Sequence, residues 1–354
     1  MMKQTKVAVL GATGMIGQRF VQLLEDHPYF VIGGLYASER SEGKSLEEVL
    51  KVKGVRFKQD TLDIKIEQLD PKAVAKRCRA AFSGLPTEVA KDTESALAEL
   101  GVAVFSNAAS HRMEADVPLL IPEVNPDHLE MVRNQSTFAN GGYIVTNANC
   151  STTGLAVPLQ AIYQKFGLKA CYVSTYQAVS GAGYPGVPSL DILGNVVPFI
   201  RNEEEKMEEE IHKMLGTVVK GKFKFAEFEM VASCARVPVV DGHLESAVLK
   251  LEKKGSAEDV IKALDAFKPE PQRLKLPTAP VQPIIVRREE NRPQPAADAL
   301  AGEPERARGM AVSVGRVRES KGYIKLWLLS HNTLRGGAGG SVLNAELAVA
   351  RKLL

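Results

Sequence analysis

The strongest constraint on this chain lies near its start. Thr5-Lys6-Val7-Ala8-Val9-Leu10 is apolar enough for a buried strand. Gly11-Ala12-Thr13-Gly14-Met15-Ile16-Gly17 then carries it into the helical pattern MIGQRFVQLLEDH. A strand entering a helix through a glycine-rich turn opens a βαβ unit. Glycine permits the tight turn and lets a pyrophosphate approach the helix N-terminus, where backbone N–H groups and the helix dipole favour an anion. The spacing is GxxGxxG rather than GxGxxG, so the context carries more weight than the motif; without a ligand the same residues make a packing turn. Further apolar runs follow: FVIGGLYAS, AAFSGLP, GVAVFSN, LIPEVNP and GYIVTNANC, with the helical TEVAKDTESALAEL among them. Such alternation implies a parallel sheet covered on both faces.

After Cys150 the pattern changes. STTGLAVPLQAIYQKF reads as a helix, and then come longer strands with fewer helices between them: KACYVSTYQAVS, EFEMVASCARVPV, LESAVLKLEK, MAVSVGRVRES and YIKLWLLSHN. The expected fold class is therefore α/β. A Rossmann-like parallel-sheet domain over 1–149 is completed by the C-terminal helix in 335–354. An α+β, mostly antiparallel-sheet domain over 150–334 serves catalysis and oligomerisation. The Pro-rich, charged stretch 287–309 reads as a surface loop without a catalytic role.

A net charge of +3 over 354 residues suits neither nucleic-acid binding nor a polybasic membrane contact. No apolar run reaches the roughly 18 residues of a membrane span. MMKQTKVAVLGATG goes into a strand without the regions of a signal peptide, so a cytoplasmic protein is expected. The four cysteines are scattered without a CxxC, and the six histidines show no HExxH spacing, so no metal is expected.

The end of the second strand should face the adenosine ribose. It reads Ala37-Ser38-Glu39-Arg40-Ser41-Glu42-Gly43-Lys44. A hydroxyl, a guanidinium and an ammonium together suit a 2′-phosphate and favour NADP. Glu39 accepting from a free 2′-hydroxyl would favour NAD instead.

Cys150 lies in TNANCSTTGLA, where an apolar strand gives way to an apolar helix. With a helix starting at Ser151 or Thr152, unpaired N–H groups and the dipole would stabilise a thiolate there and later an oxyanion. Cys78, Cys171 and Cys234 lie within strand- or helix-like runs and read as packing residues. A cysteine nucleophile needs a base. His27 looks like surface, and His111, His128 and His212 lie in polar segments; His331 stands near the Gly-rich C-terminal turn. His243 follows Asp241-Gly242, a two-residue hairpin signal. On that reading Arg236 and His243 share one face, about 13 Å apart at about 3.3 Å per residue, with room for a small carboxylate substrate between them. A nicotinamide beside a cysteine suggests aldehyde chemistry through a thioester.

The motifs VAVLGATGMIGQRF, LYASERSEGKS, SNAASHRMEADVPLLIPEVNP, NANCSTTGL, STYQAVSGAGYPG, EEEKMEEE, RVPVVDGHLES and LRGGAGGSVLNAELAV, in this order, resemble the archaeal and fungal aspartate-semialdehyde dehydrogenases over essentially the whole chain. The resemblance implies NADP-dependent reductive dephosphorylation of L-aspartyl-4-phosphate to L-aspartate-4-semialdehyde, on the way to lysine, threonine and methionine. It implies Cys150 as nucleophile, His243 as acid/base and Gln177 positioning the acyl group. Arg236 would hold the substrate carboxylate, an acid of the run Glu203-Glu204-Glu205, with Glu203 favoured, its ammonium, and Arg112, Asn149 and Lys206 the phosphate. Gly11, Thr13, Gly14, Met15, Ile16, Gly17, Ser38 and Arg40 would hold NADP, with Ser180, Gly181 and Asn332 near its nicotinamide end. Inorganic phosphate and a homodimer or homotetramer are the expected partners. Malonyl-CoA reductase, which has the same scaffold and Cys/His pair, and a catalytically inactive NADP-binding protein are the alternatives; N-acetyl-glutamyl-phosphate reductase is more remote.

Overall fold

The computed structural model describes residues 4–52 and 54–354, so the first three residues of the stretch read for a leader lie outside it. Two six-stranded sheets organise the chain. The first is built from β1 (Thr5–Leu10), β2 (Phe30–Ala37), β3 (Ile66–Gln68), β4 (Ala80–Ser83), β5 (Ala103–Ser106) and β6 (Tyr143–Thr146), in the order β3-β2-β1-β4-β5-β6. All its pairings are parallel. Order reverses beside β1, and the Gly11–Gly17 turn leaves that strand at the crevice so created, the usual place for a ligand in such sheets. β4, β5 and β6 are buried on both faces, which explains their unbroken apolar runs. LIPEVNP forms no strand; Leu119 makes a single bridge to Thr146 beside it. β3 went unread, being only three residues long.

The second sheet contains β7 (Leu168–Gln177), β10 (Glu229–Arg236), β11 (His243–Leu251), β12 (Ile284–Arg287), β13 (Val312–Ser320) and β14 (Tyr323–Ser330), while β8 (Thr217–Val219) and β9 (Lys222–Lys224) form a separate small hairpin. Its order is β10-β7-β11-β14-β13-β12. The sheet is mixed: β10–β7 and β12–β13 run parallel, and the other three pairings antiparallel. The hairpin expected between β10 and β11 does not exist, because β7 lies between them. Asp241-Gly242 still turns the chain, with Gly242 at φ +97°, but the turn ends a crossing over the tip of β7.

Helix Cys150–Phe166 covers the inner face of this sheet, joined by helix Glu203–Met214. The C-terminal helix Gly339–Ala350 is buried along most of its length, and its Val342, Leu343, Leu347 and Ala348 pack with Val9, Phe20, Phe82 and Phe105 in the core of the first sheet. The 287–309 stretch is folded against the protein. Arg292 and Arg287 both reach the buried carboxylate of Asp298, and Arg306 donates to the carbonyls of Leu23, Glu25 and Asp26. Among the described residues no helix is long and apolar enough to cross a membrane, and no three His, Cys, Asp or Glu side chains cluster as a metal site.

Candidate active site

Three strand ends and one helix start meet at one edge of the second sheet. Gln177 ends β7 and Arg236 ends β10; the two pair in parallel register. His243 begins the antiparallel β11, where Leu244 stands opposite Tyr176. Antiparallel β11 and parallel β10 flank β7, so a C-terminus, a C-terminus and an N-terminus lie side by side. Arg236 and His243 thereby come close together instead of standing a strand's length apart. A Cβ added to Gly181 would meet Arg236 Nη1 at 2.8 Å and His243 Cε1 at 3.1 Å.

Cys150 is the first helical residue, one earlier than expected, because Asn149 is the N-cap. The Asn149 side-chain oxygen accepts from the N–H groups of Ser151 and Thr152 at 2.9 and 3.1 Å. Cys150 Sγ lies 3.3 Å from His243 Nε2, and His243 Nδ1 accepts from the Ala178 N–H at 3.0 Å. Gly336 packs on Cys150, where a Cβ would sit 2.7 Å from the cysteine Cβ. The adjacent Gly337 packs on Ile16 of the nucleotide turn, so the Gly-rich C-terminal segment joins the two expected half-sites.

Burial works against the thiolate expected of a helix N-terminus. Burial pushes the Cys150 thiol up to about 12, and Glu203 adds to the rise; Arg236 and Arg112 oppose it. The backbone N–H of Ser151 opposes it as well. Burial, with Arg236 and His331 adding, pushes His243 well below the ordinary histidine range. Both shifts work against the thiolate–imidazolium form of the pair. Cys78, Cys171 and Cys234 are buried packing residues, and burial raises the thiol of each.

Helix Glu203–Met214 supplies a polar underside. One oxygen of Glu203 accepts from Asn149 Nδ2 and the other from Gln177 Nε2, both at 2.9 Å. Glu210, one heptad on and on the same face, was not anticipated. It accepts from the Asn149 N–H at 2.6 Å and from Arg112 Nη1 at 2.8 Å. Lys213 was missed as well; its buried ammonium donates to the carbonyls of Arg112, Glu114 and Val117 at 2.8–2.9 Å. The seven-residue spacing of Glu203 and Glu210 in a run of acids was the signal available. Arg112 is buried, and its Nε has no partner among the described residues. Lys206 is half-buried on this helix and makes no side-chain hydrogen bond or ion pair among the described residues.

On the nucleotide side, Gly11 and Ala12 donate to the Tyr36 carbonyl and tie the turn to β2. Gly11 has φ +73°, and a Cβ there would meet the Gly84 carbonyl oxygen at 2.7 Å, so only glycine fits. The N-cap Gly14 has no side chain to cap the helix that begins at Met15, which leaves its first N–H groups available for an anion. Thr13, Gly14, Met15 and Ile16 are half-exposed, Gly17 is buried against Gly11, and Ser38 and Arg40 stand exposed at the end of β2. These residues fit a dinucleotide pyrophosphate and ribose. Ser180 and Asn332 are joined by a 2.8 Å hydrogen bond, and Asn332 also accepts from the Gly242 N–H just before His243. The remaining histidines serve elsewhere. His27, expected at the surface, is fully buried and bonded to Glu346 at 2.9 Å. His111, His128 and His331 are also buried, and burial lowers His331 to about 4.

Comparison with known proteins agrees with this geometry. The profile of "Semialdehyde dehydrogenase, NAD binding domain" matches residues 6–132, and that of "Semialdehyde dehydrogenase, dimerisation domain" matches residues 159–335. An aspartate-semialdehyde dehydrogenase of Methanothermobacter thermautotrophicus is 48% identical over 347 residues, covering 96% of this chain and 98% of its own. The chain belongs to the aspartate-semialdehyde dehydrogenase family. A crystal structure of the aspartate-semialdehyde dehydrogenase from Candida albicans with NADP superposes with a TM-score of 0.89 at 39% identity, covering 99% of this chain and 100% of that one. The second aspartate-semialdehyde dehydrogenase of Vibrio cholerae, solved in complex with ASA, superposes at 0.77 with 28% identity, covering 98% of this chain and 99% of that one. The family's dimerisation profile falls on the second sheet, whose outer face exposes Val231 and Tyr176, the latter stacked on Trp327.

Proposed function

We propose that this aspartate-semialdehyde dehydrogenase family member catalyses NADPH-dependent reductive dephosphorylation of L-aspartyl-4-phosphate to L-aspartate-4-semialdehyde, and the reverse, through a thioester on Cys150. The observation that carries this reading is the 3.3 Å approach of Cys150 Sγ to His243 Nε2 at the edge where the glycine turn meets the second sheet. NADP, when bound, supplies or accepts the hydride at the acyl carbon. Gly11 to Gly17 would take its pyrophosphate, Ser38 and Arg40 its ribose phosphate, and Ser180, Gly181 and Asn332 its nicotinamide end.

Arg236 spends one N–H on the Ala178 carbonyl at 2.9 Å and keeps the rest of its fork for the substrate carboxylate. Glu203 takes the substrate ammonium and, through Gln177 and Asn149, ties the amino-acid end to the acyl end. The free Nε of Arg112, with Lys206 and Asn149, receives phosphate oxygens. Residues 1–149 with 335–354 form the cofactor half and 150–334 the catalytic half. The chain works in the cytoplasm as a homodimer or homotetramer through the outer face of the second sheet. In the assay, NADP+ reduction should require both aspartate semialdehyde and inorganic phosphate, and Cys150→Ala should abolish it. Turnover near wild type in that variant, or indifference to phosphate, would overturn the reading.

A further inference from the structure

We propose that Glu210 is a positioning residue that fixes the phosphate-binding guanidinium of Arg112 against the segment carrying the nucleophile. This deepens the reaction proposed above and rests on it, because Arg112 is there a ligand of phosphate. Glu210 meets no reacting atom; it acts through Arg112 and Asn149.

The two carboxylate oxygens have separate tasks. Oε1 accepts from Arg112 Nη1 at 2.8 Å, and Oε2 accepts from the Asn149 backbone N–H at 2.6 Å. One side chain thus spans from the loop after β5 to the residue that caps the Cys150 helix. All three partners are buried. The rest of Arg112 is held as well. Its Nη2 donates to the Asn107 carbonyl at 2.8 Å, and its own carbonyl accepts from Lys213 Nζ at 2.8 Å. Lys213 lies one turn beyond Glu210, so helix Glu203–Met214 holds Arg112 by backbone and side chain together. Asn149 is also held twice, its Nδ2 by Glu203 and its N–H by Glu210. The helix therefore sets the separation between the phosphate cation and the start of the Cys150 helix.

Packing does not account for a carboxylate here. Glu210 belongs to the buried stripe of its helix, with Met207, Ile211 and Met214. An apolar side chain would fill that position without the cost of taking a charge out of water. The chemistry of the two contacts also excludes the nearest substitutes. Glutamine offers one acceptor and an NH2 group in place of the other, so N–H would face N–H at Arg112 or at Asn149. Aspartate keeps both oxygens but is one methylene too short to reach both donors. With one Nη on Glu210 and the other on a carbonyl, the guanidinium cannot turn, and its remaining N–H groups face phosphate in one orientation. Phosphate must meet the acyl carbon on Cys150, so this fixed separation is what brings the two into reach.

The full chain is assayed in the oxidative direction with aspartate semialdehyde, NADP+ and inorganic phosphate. Glu210→Gln should raise the KM for phosphate about tenfold and leave the KM for aspartate semialdehyde and for NADP+ within about twofold. A merely structural Glu210 would lower the urea midpoint and kcat without separating the three KM values, and that result would overturn the proposal. In an Arg112→Lys background the same change should add less than about twofold to the KM for phosphate, because lysine has no fork for Glu210 to hold; effects that multiply independently would overturn it too. Glu210→Asp gives a second reading should the amide variant not fold, with the same KM rising about threefold or more. A wild-type chain indifferent to phosphate would remove the parent reading and this one with it. A phosphate-dependent wild type whose Glu210 variants keep its KM for phosphate would remove this one alone.

Discussion

Gly336→Ala tests whether the C-terminal turn sets the position of the nucleophile. A Cβ at 336 would lie 2.7 Å from Cys150 Cβ and 2.8 Å from its Cα, whereas ordinary carbon contacts begin near 3.4 Å. About 0.7 Å must therefore be found, and neither partner has a rotamer to yield. The turn is clamped by Arg335, whose guanidinium pairs with both oxygens of buried Glu123 at 2.8 and 2.6 Å. Cys150 is held by its Asn149 cap. A misplacement of about 1 Å costs roughly a hundredfold in rate, so about 0.7 Å corresponds to a kcat some 30-fold lower. The overpacking should also cost about 1–3 kcal/mol of stability. Steady-state kcat and KM for phosphate-dependent oxidation of aspartate semialdehyde, with a urea midpoint alongside, read both effects. KM should change less than kcat, since Arg236 and Arg112 are untouched. A kcat within about threefold of wild type would refute the claim that this contact places the sulfur.

Three further outcomes are expected. Lys213→Met strips the donor from three carbonyls and should destabilise the protein by about 1–3 kcal/mol in urea, while raising the KM for phosphate by loosening the loop that carries Arg112. Glu245 is fully buried, neither oxygen has a partner among the described residues, and burial raises its carboxyl well above 4.5. Above that value the unfolded chain has released a proton that the folded one retains, so wild-type stability falls as pH rises. Glu245→Gln should therefore leave the thermal midpoint nearly unchanged at pH 4 and raise it at pH 8; equal shifts at both would contradict the burial argument. Asn149→Ala should lose about 1 kcal/mol from the helix cap, measurable as a lower urea midpoint, and should lower kcat as Glu203, which also holds Gln177, loses one of its two amide partners.

The nucleotide half was legible because its signals are local. The apolar run of β1, the glycine spacing and the helical period that follows all lie within one βαβ opening. Cys150 was legible for the same reason, as a polar interruption at a strand–helix junction. The closeness of Arg236 and His243 was not, because it depends on β7 entering between β10 and β11, a pairing among segments far apart in sequence. The two-residue hairpin read at Asp241-Gly242 does not form: Gly242 bends the chain, but nothing local says which strand lies beside it. His27 shows the same limit. Its place after an amphipathic helix suggested the surface, while its partner Glu346 lies 319 residues away. Glu210 and Lys213 were hidden in a charge-rich helix, where a solvated face is the ordinary expectation.

From Cys171 onward β7 alternates between its two sides. Thr175 and Gln177 are buried on the inner one, with Gln177 at the site, while Ser174 and Tyr176 are exposed, Tyr176 stacked on Trp327. Neighbouring side chains on this strand therefore answer to different masters, one to the reacting carbon and the next to whatever covers the outer sheet. Deleting a single residue from β7 would exchange the two sets, so the length of this strand is as strictly prescribed as the identity of its last glutamine.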